Sequence, residues 1–364
     1  MGILTIATLF ALYVSSGLGV GQMSMLKETI GETRTSETFR TIKKIVGITL
    51  TVEAIGVLGY YLSWGHMFDD NGTRLFYSVF HAVSAFCNAG FSVFSNSLAD
   101  EANVLNYGVN ITTMFLIVIG GLGFTTFWEL IKGNPERKIR TWQFSLHTRI
   151  VLIATVVLIV GGTVAFLALE WDGVLAGYAT SDKVLISMFQ SITTRTAGFN
   201  TVDIGSLGVS TVLVFLGLMV IGASPASTAG GMKTTTVSVM LIAVWSTITG
   251  KNKVEFAKRT IAKDTVLTAM SVFVLVAACL FIFTFALTLT ENLPFMDLLF
   301  EEFSAFATVG LSRGITPALT DAGKGIIILS MFIGRVGIVT LALAFAKSRK
   351  STKYTYPTES VIVA

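Results

Sequence analysis

Three short apolar segments, each ending in a turn that contains glycine, lie between much longer apolar runs of the chain. The turns occupy residues 86–92, 193–200 and 306–312. The glycine of the middle turn, Gly198, lies 108 residues after Gly90 and 112 residues before Gly310. A period this long indicates a repeated structural unit, in which each copy contributes one equivalent turn.

The composition places the chain among membrane proteins. Apolar residues make up 52% of it and charged residues only 13%, whereas soluble proteins carry about 25% charged residues. Cys87 and Cys279 lie far apart in apolar stretches, so no disulfide framework is implied. The three histidines lack the spacing of metal ligands, and the sequence has no nucleophile–base pair, phosphate-binding loop or dinucleotide fingerprint. The sequence therefore predicts a protein that is not an enzyme.

The apolar pattern divides the chain into repeated units and linkers. Each unit has two long runs, of the roughly 20 residues that a membrane-crossing helix needs, around one shorter segment. The predicted boundaries are 1–21 (end of the outer helix of an incomplete first unit), 22–44 (linker), 45–131 (second unit), 132–149 (linker), 150–248 (third unit, with a helix broken at 223–231), 249–264 (linker), 265–346 (fourth unit) and 347–364 (tail).

The charges indicate how often each unit crosses the membrane. Nineteen of the 26 Lys and Arg residues lie in the linkers and the tail, whereas acidic residues collect in the loops beside the short segments. The positive-inside rule therefore places every linker in the cytoplasm. Each unit then crosses twice, and its short segment enters from outside and turns back. Backbone of this kind is tolerated only inside protein or along an aqueous cavity, so the three turns are expected to converge on one axis.

The turns have the features of a cation filter. A helix that runs inward from outside directs its negative C-terminal end toward the membrane centre, and the carbonyls of the following turn can replace the water around a cation. Glycine permits the positive φ that lets successive carbonyls point the same way. The alternative is that each glycine only caps a helix, but three turns in register favour the filter. The predicted filter residues are Cys87, Asn88, Ala89, Gly90, Arg195, Thr196, Ala197, Gly198, Ala307, Thr308, Val309 and Gly310.

A second element, in the run 209–248, has the features of a gate. This run is too long for one simple helix, and Pro225 lies within a stretch rich in Gly, Ser and Ala. Proline breaks the helix, so the chain is predicted to unwind here and form a flexible plug below the filter. The alternative is a kinked helix that packs through its small residues. The predicted gate residues are Ala223, Ser224, Pro225, Ala226, Ser227, Thr228, Ala229, Gly230, Gly231, Lys233 and Arg335.

Several charged residues fall within apolar sequence. Arg335, in the middle of a span, either holds the plug and limits ion flow from below the filter or forms an ion pair with Glu53. Lys233 either anchors the broken segment or extends toward the cytoplasm. Arg195 is expected to brace the filter turn from behind, because facing the pore it would repel cations. Two acidic residues, Glu301 and Glu302, are expected at the outer mouth of the pore, where they either concentrate cations or form a solvated rim.

These segments resemble the helix–pore loop–helix repeats of the Trk/Ktr/HKT superfamily of potassium transporters, and most closely the membrane subunit of bacterial Ktr systems. The likeness is carried by residues 87–91, 194–201, 222–236, 308–312 and 334–337. The resemblance implies four units around one pore, a homodimer, and a cytosolic nucleotide-binding regulatory ring beneath it. It also implies a fourth turn, which the repeat places upstream of Met1, so that the chain is expected to be truncated at its N-terminus.

The predicted fold is thus an all-α polytopic membrane protein whose helix–re-entrant loop–helix units surround a central pore. The predicted function is potassium uptake across the cell membrane, passive or sodium-dependent, with K⁺ as substrate, Na⁺ as a candidate activator and no covalent cofactor. The predicted partners are a second copy of the chain, the regulatory ring and membrane lipids, but not nucleic acid. Two alternatives remain: a secondary transporter with side-chain substrate sites, and a non-conducting subunit.

Overall fold

The computed structural model describes residues 35–132 and 144–337. The predicted helix end at 1–21, most of the linker 132–149 and the tail 347–364 lie outside these residues. The helices and strands, in chain order, are α1 (Thr35–Ser63), α2 (Asn71–Phe86), α3 (Glu101–Val104), α4 (Tyr107–Leu122), α5 (Phe124–Lys132), α6 (Leu146–Leu169), α7 (Thr180–Thr193), α8 (Val209–Val220), α9 (Thr234–Ile248), β1 (Glu255–Phe256), β2 (Arg259–Thr260), α10 (Lys263–Thr290), α11 (Phe295–Phe306) and α12 (Asp321–Val336).

Polar residues at loop–helix junctions determine where several helices begin. The side chains of Asp70, Asn106, Ser145 and Thr320 each accept a hydrogen bond from a backbone N–H in the first turn of α2, α4, α6 and α12, respectively. Each cap satisfies a donor that would otherwise lack a partner at the helix start. Such caps are worth about 1 kcal/mol each, and they position the loop ends of the long apolar runs.

The helices form three similar units. In the unit at 45–131, α2 packs against both α1 and α4. In the unit at 150–248, α6 packs against α7 and α8, and in the unit at 265–346, α11 packs against α10 and α12. Neighbouring units meet through α4 with α7 and through α8 with α11. The short helices α2, α7 and α11 therefore lie at equivalent places within one connected assembly.

The spans of the described residues are partly whole and partly broken. Three helices are long and apolar enough to cross a membrane: Lys44–Ser63, Leu146–Leu169 and Lys263–Thr290. The run 209–248 contains no helix between Val220 and Thr234, which is where Pro225 and the small residues predict unwinding. The run 108–131, expected as one span, is instead bent by 101° between α4 and α5. The bend occurs at Gly123, whose φ of 81° and ψ of 147° do not belong to a helix.

Two linkers contain regular structure that the sequence pattern did not predict. Helix α1 begins at Thr35, well inside the linker 22–44. The linker 249–264 contains an antiparallel hairpin in which Phe256 pairs with Arg259. Its two-residue turn, Ala257 and Lys258, has positive φ at both positions. This is the hairpin turn that matches the natural twist of paired strands.

The interior of the unit at 150–248 is polar, whereas its outer surface is apolar. In α7 the side chains of Ser187, Gln190, Ser191 and Thr193 are fully buried. The outer helices instead expose large apolar side chains, such as Val157 on α6 at 62%. In a soluble protein this distribution would be reversed. The arrangement is that of an all-α polytopic membrane protein with a polar interior.

Candidate functional site

The three glycine turns meet at a common centre. A Cβ atom placed on Gly90 would lie 2.5 Å from the carbonyl oxygen of Ala197 and 2.9 Å from the Cα of Gly198. One placed on Gly198 would lie 2.5 Å from the carbonyl oxygen of Val309 and 3.4 Å from the Cα of Gly310. Because the turns approach to backbone contact, a side chain at Gly90 or Gly198 would collide with the neighbouring turn.

The same backbone conformation occurs in all three turns. Each glycine has a positive φ, between 71° and 92°, and so does the residue two positions before it, between 50° and 70°. The pairs are Asn88 with Gly90, Thr196 with Gly198, and Thr308 with Gly310. Positive φ is rare outside glycine and is a marker of strain for a β-branched residue. Strain of this kind persists only where the surrounding structure enforces it, and it concentrates at functional sites.

The sequence indicated the glycines but not their left-handed neighbours. Asparagine at position 88 is compatible with positive φ, since its side chain is among the more tolerant ones. Threonine at 196 and 308 gives no such signal, because β-branched residues disfavour this region. Only the repeated spacing, two residues before each glycine, could have identified them.

The hydrogen bonds of each turn are directed backward into its own helix. In the first turn, the N–H groups of Cys87 and Ala89 donate to the carbonyls of Val83 and Ser84, at 2.9 Å each. In the third, the N–H of Val309 donates to the carbonyl of Ser304 at 2.8 Å. The carbonyls of residues 88–90, 196–198 and 308–310 accept no hydrogen bond from any of the described residues. They are therefore available to a cation.

Side chains of the short helices hold the chain that leaves each turn. The hydroxyl of Ser84 donates to the carbonyl of Phe91 at 2.7 Å, and the hydroxyl of Thr193 donates to that of Phe199 at 2.5 Å. In the third turn Glu301 holds the outgoing chain, because its carboxylate accepts a hydrogen bond from Ser312 at 2.9 Å. These contacts fix both ends of each turn.

The expectation that the acidic pair forms a solvated rim was wrong. Glu301 is buried and holds the third turn, as described above. Glu302 is completely buried, and its carboxylate accepts a hydrogen bond from Ser330 on α12 at 2.5 Å. Both side chains therefore point into the protein, and the expectation that they concentrate cations stays a prediction.

The non-helical segment 221–233, termed the intramembrane loop below, lies against the bend between α4 and α5. The N–H of Ser224 donates to the carbonyl of Gly121 at 3.0 Å, and the N–H of Phe124 donates to that of Ala226 at 3.2 Å. Any Cβ on Gly123 would collide with the carbonyl oxygen of Pro225. The loop thus completes backbone hydrogen bonds that the bend leaves open.

The far end of the intramembrane loop reaches the third glycine turn. A Cβ on Gly230 would collide with the hydroxyl of Thr308, and one on Gly231 would lie 3.4 Å from the carbonyl oxygen of Ala307. The loop therefore contacts the base of the same turns that contain the unpaired carbonyls.

Two cationic side chains hold the loop by its carbonyl oxygens. Nη1 of Arg335 donates to the carbonyl of Thr228 at 3.0 Å, and Nζ of Lys233 donates to that of Ala229 at 2.7 Å. Within the described residues, Arg335 forms no ion pair with Glu53, so that expectation was wrong. Arg195 is buried, only 6% exposed, and its Nε has no hydrogen-bond partner among the described residues.

Comparison with known proteins identifies relatives over nearly the whole chain. The TrkH family, described as a cation transport protein, matches residues 1–356. Ktr system potassium uptake protein B of Bacillus subtilis is 37% identical over 353 residues, which cover 96% of this chain and 78% of that protein. Potassium/sodium uptake protein NtpJ of Enterococcus hirae is 33% identical over 371 residues, covering 100% of this chain and 80% of the relative.

A solved structure has the same fold. The crystal structure of the potassium transporter TrkH from Vibrio parahaemolyticus matches with a TM-score of 0.69, covering 89% of this chain and 69% of that chain. The sequence identity is 18%, so this likeness supports the helical architecture alone.

Proposed function

This chain belongs to the TrkH family of cation transport proteins, and on that premise we propose that it takes up potassium ions across a cell membrane. The path consists of a filter lined by backbone carbonyls and a gate formed by the intramembrane loop. The family transports cations and is not an enzyme family. The observation that best supports the filter is the convergence of three turns in which the carbonyls of residues 88–90, 196–198 and 308–310 accept no hydrogen bond from the described residues.

In the proposed mechanism, the ion exchanges its water for protein oxygens. The carbonyls of residues 87–90, 195–198 and 307–310 surround it, as hydration-replacing carbonyls do in selectivity filters. The C-terminal ends of α2, α7 and α11 precede these turns, and their partial negative charge favours a cation at the centre. Helix ends and carbonyls together therefore offset the cost of dehydrating the ion.

The intramembrane loop, residues 223–231 in particular, closes this path below the filter. Arg335 and Lys233 stabilise the closed position through their hydrogen bonds to Thr228 and Ala229. Their positive charge also disfavours a cation at this level while the loop is in place. Opening requires that these bonds break and that the loop withdraw from Thr308.

The orientation and the assembly follow the same proposal. The basic linkers face the cytoplasm, as the charge distribution indicates. Two copies of the chain associate, and a cytosolic nucleotide-binding ring regulates the loop from below. Support for a partner comes from relatives that are named as components of a Ktr system. Sodium acts as an activator or as a second transported ion, and the name of the Enterococcus relative includes it.

Ion flux through the purified protein tests the filter. The chain is reconstituted in liposomes, and rubidium uptake is measured with potassium or sodium as competitor. Potassium should compete more strongly than sodium. Gly198→Ala should abolish uptake, because its Cβ would lie 2.5 Å from the carbonyl of Val309. The matched control is Gly161→Ala in α6, where no atom lies within 4 Å of the added Cβ.

The same experiment separates the filter from a side-chain substrate site. If Gly198→Ala conducted like the wild type while both variants remained folded, the carbonyl filter would be excluded. A secondary transporter with side-chain ligands would then be the better explanation.

A further inference from the structure

An apolar cavity of about 250 Å³ lies between α6 and α9. Its walls include Ile150 and Ala154 of α6 and Val237 of α9, and Phe256 of the β-hairpin also lines it. Val157 and Leu241, on opposite walls, are 62% and 59% exposed. Because these helices present apolar side chains outward, the cavity opens sideways toward the hydrocarbon of the membrane.

The cavity offers almost nothing to a polar ligand. Its two hydroxyl-bearing wall residues, Thr234 and Ser238, already use their hydroxyls. Ser238 donates to the carbonyl of Thr234 at 2.8 Å, and the hydroxyl of Thr234 lies 3.2 Å from that of Ser224. A water molecule needs two to four polar partners to be stable in a buried site. The occupant must therefore be apolar. The volume is below the roughly 300–1,000 Å³ of pockets for drug-sized molecules, which suits a slender chain.

A basic side chain, that of Arg259, lies beside the part of the cavity that Phe256 lines. Phe256, which lines it, pairs across the hairpin with Arg259. Residues directly opposite each other in an antiparallel pair project from the same face. Arg259 therefore projects beside the part of the cavity that Phe256 lines. Arg259 is exposed, and within the described residues it forms no ion pair. An anionic group held there would be adjacent to an apolar chain held in the cavity.

We propose that this cavity binds an acyl chain of an anionic phospholipid whose phosphate contacts Arg259. The lateral opening toward lipid, the apolar walls and the adjacent unpaired cation together match a molecule with one apolar chain and one negative head group. Polybasic segments at membrane surfaces attract such lipids, and Lys251, Lys253 and Lys258 lie exposed in the same linker.

The inner wall of the cavity connects this site to the gate. Ile221 and Thr234 both line it; Ile221 is the first residue of the intramembrane loop, and Thr234 follows the last one. A bound chain therefore packs against the base of the loop and stabilises its closed position. Binding itself does not depend on the proposed potassium transport, so the two can be tested separately.

Photo-crosslinking tests the binding site without measuring transport. The full chain is placed in phosphatidylcholine nanodiscs that contain a minor share of phosphatidylglycerol with a photoactivatable group in its acyl chain. After irradiation, labelled peptides are identified by mass spectrometry. Labels should concentrate on the cavity residues of α6 and α9. Ala154→Trp, which fills the cavity, should remove this label, whereas Val164→Trp, on the exposed part of the same helix, should not.

The head-group contact has its own pair of variants. Arg259→Gln should reduce labelling by phosphatidylglycerol about fivefold, the factor expected for one basic residue at an anionic surface. Lys324→Gln, which removes an exposed cation on α12 that does not line the cavity, should leave labelling unchanged. Even labelling over all lipid-facing helices, or equal labelling by a photoactivatable phosphatidylcholine, would overturn the proposal. So would crosslinks between two copies of the chain through α6 and α9, which would make the cavity part of a protein interface.

Discussion

Arg335 shows how one side chain can both tolerate and use a position within the membrane. A charge at this depth is costly unless it finds polar partners. The carbonyl of Thr228, 3.0 Å away, is such a partner, and it belongs to the intramembrane loop. Arg335 forms this hydrogen bond only while the loop stays in place, which couples the stabilisation of its charge to the position of the proposed gate.

Arg335→Gln should raise rubidium flux. Hydrogen bonds to charged groups contribute about 1.5–3 kcal/mol, so weakening this one shifts the balance between closed and open loop by about tenfold or more. Flux into liposomes measures the effect. Lys324→Gln, on the exposed part of the same helix, is the control and should leave flux unchanged. Reduced flux in Arg335→Gln would show that the arginine does not hold the gate.

Single residues of the site were predictable only where their chemistry is distinctive. Glycine at positions 90, 198 and 310 predicted the positive φ of these residues. The charge of Arg335 within an apolar run predicted that its side chain has a polar partner. The identity of that partner was not readable, because Thr228 contributes a backbone carbonyl and not a side chain. For the same reason Glu53, the obvious side-chain candidate, was the wrong choice.

At the scale of elements, the bend between α4 and α5 is what seats the loop. Helix α4 stops at Leu122, and the peptide groups around Gly123 then pair with the loop instead of continuing the helix. Neither the bend nor the intramembrane loop could remain non-helical alone in a membrane, and each supplies hydrogen-bond partners for the backbone of the other. The proposed gate, which is the intramembrane loop, and the bend that it rests on therefore come from two different units and stabilise each other.

Gly123→Ala should disturb this seat. The left-handed conformation of Gly123 costs a non-glycine residue roughly 1–3 kcal/mol, and the added Cβ would collide with Pro225. We expect a lower apparent melting temperature and a higher rubidium flux. Gly217→Ala, on the exposed side of α8 with no atom within 4 Å of its added Cβ, should change neither. A Gly123→Ala protein with wild-type melting and flux would argue against the seat.

Deletion of residues 224–230 should remove the gate while sparing the filter. Flux is expected to rise markedly, and the preference for potassium over sodium should persist, because the carbonyls of residues 88–90, 196–198 and 308–310 form no hydrogen bond with the loop. Competition by the two ions in the flux assay measures both quantities. Flux equal to that of the wild type would exclude the loop as a barrier.

The boundaries of helices were predictable from the sequence where a residue that interrupts a helix stands out. Pro225 within small residues indicated the non-helical loop, since proline removes a donor and clashes within a helix. The bend at Gly123 escaped notice, because glycines in a membrane helix are equally typical of close helix packing. The hairpin at 255–260 was missed because two strands of two residues each have no detectable alternation.

For the whole molecule, the charge distribution predicts which loops share a side of the membrane. In a background with Cys87 and Cys279 replaced by alanine, Lys258→Cys should react with a membrane-impermeant maleimide only after the cytoplasmic face is exposed. Glu101→Cys, at the start of the short helix α3 between the first glycine turn and α4, should react in intact cells. Both native residues are exposed. Reaction of both from the same side would overturn the proposed two-crossing topology.

The global architecture was the most predictable level, because a repeat constrains every copy at once. The spacing of Gly90, Gly198 and Gly310 predicted equivalent units and a common centre before any helix boundary was known. The contacts between units could not be predicted, since they depend on shape rather than on pattern. Which helices meet, α4 with α7 and α8 with α11, became visible only in three dimensions.

The convergence of the turns has a consequence for biosynthesis. Gly310 emerges from the ribosome 220 residues after Gly90, so on the proposed topology the nascent chain holds the re-entrant segment that ends at Gly90 in the bilayer long before the segment that ends at Gly310 can join it. Until then, polar backbone lacks the neighbours that shield it from lipid. Membrane chaperones that recognise half-assembled helices should therefore engage this chain for most of its translation, and release it once the last hairpin inserts.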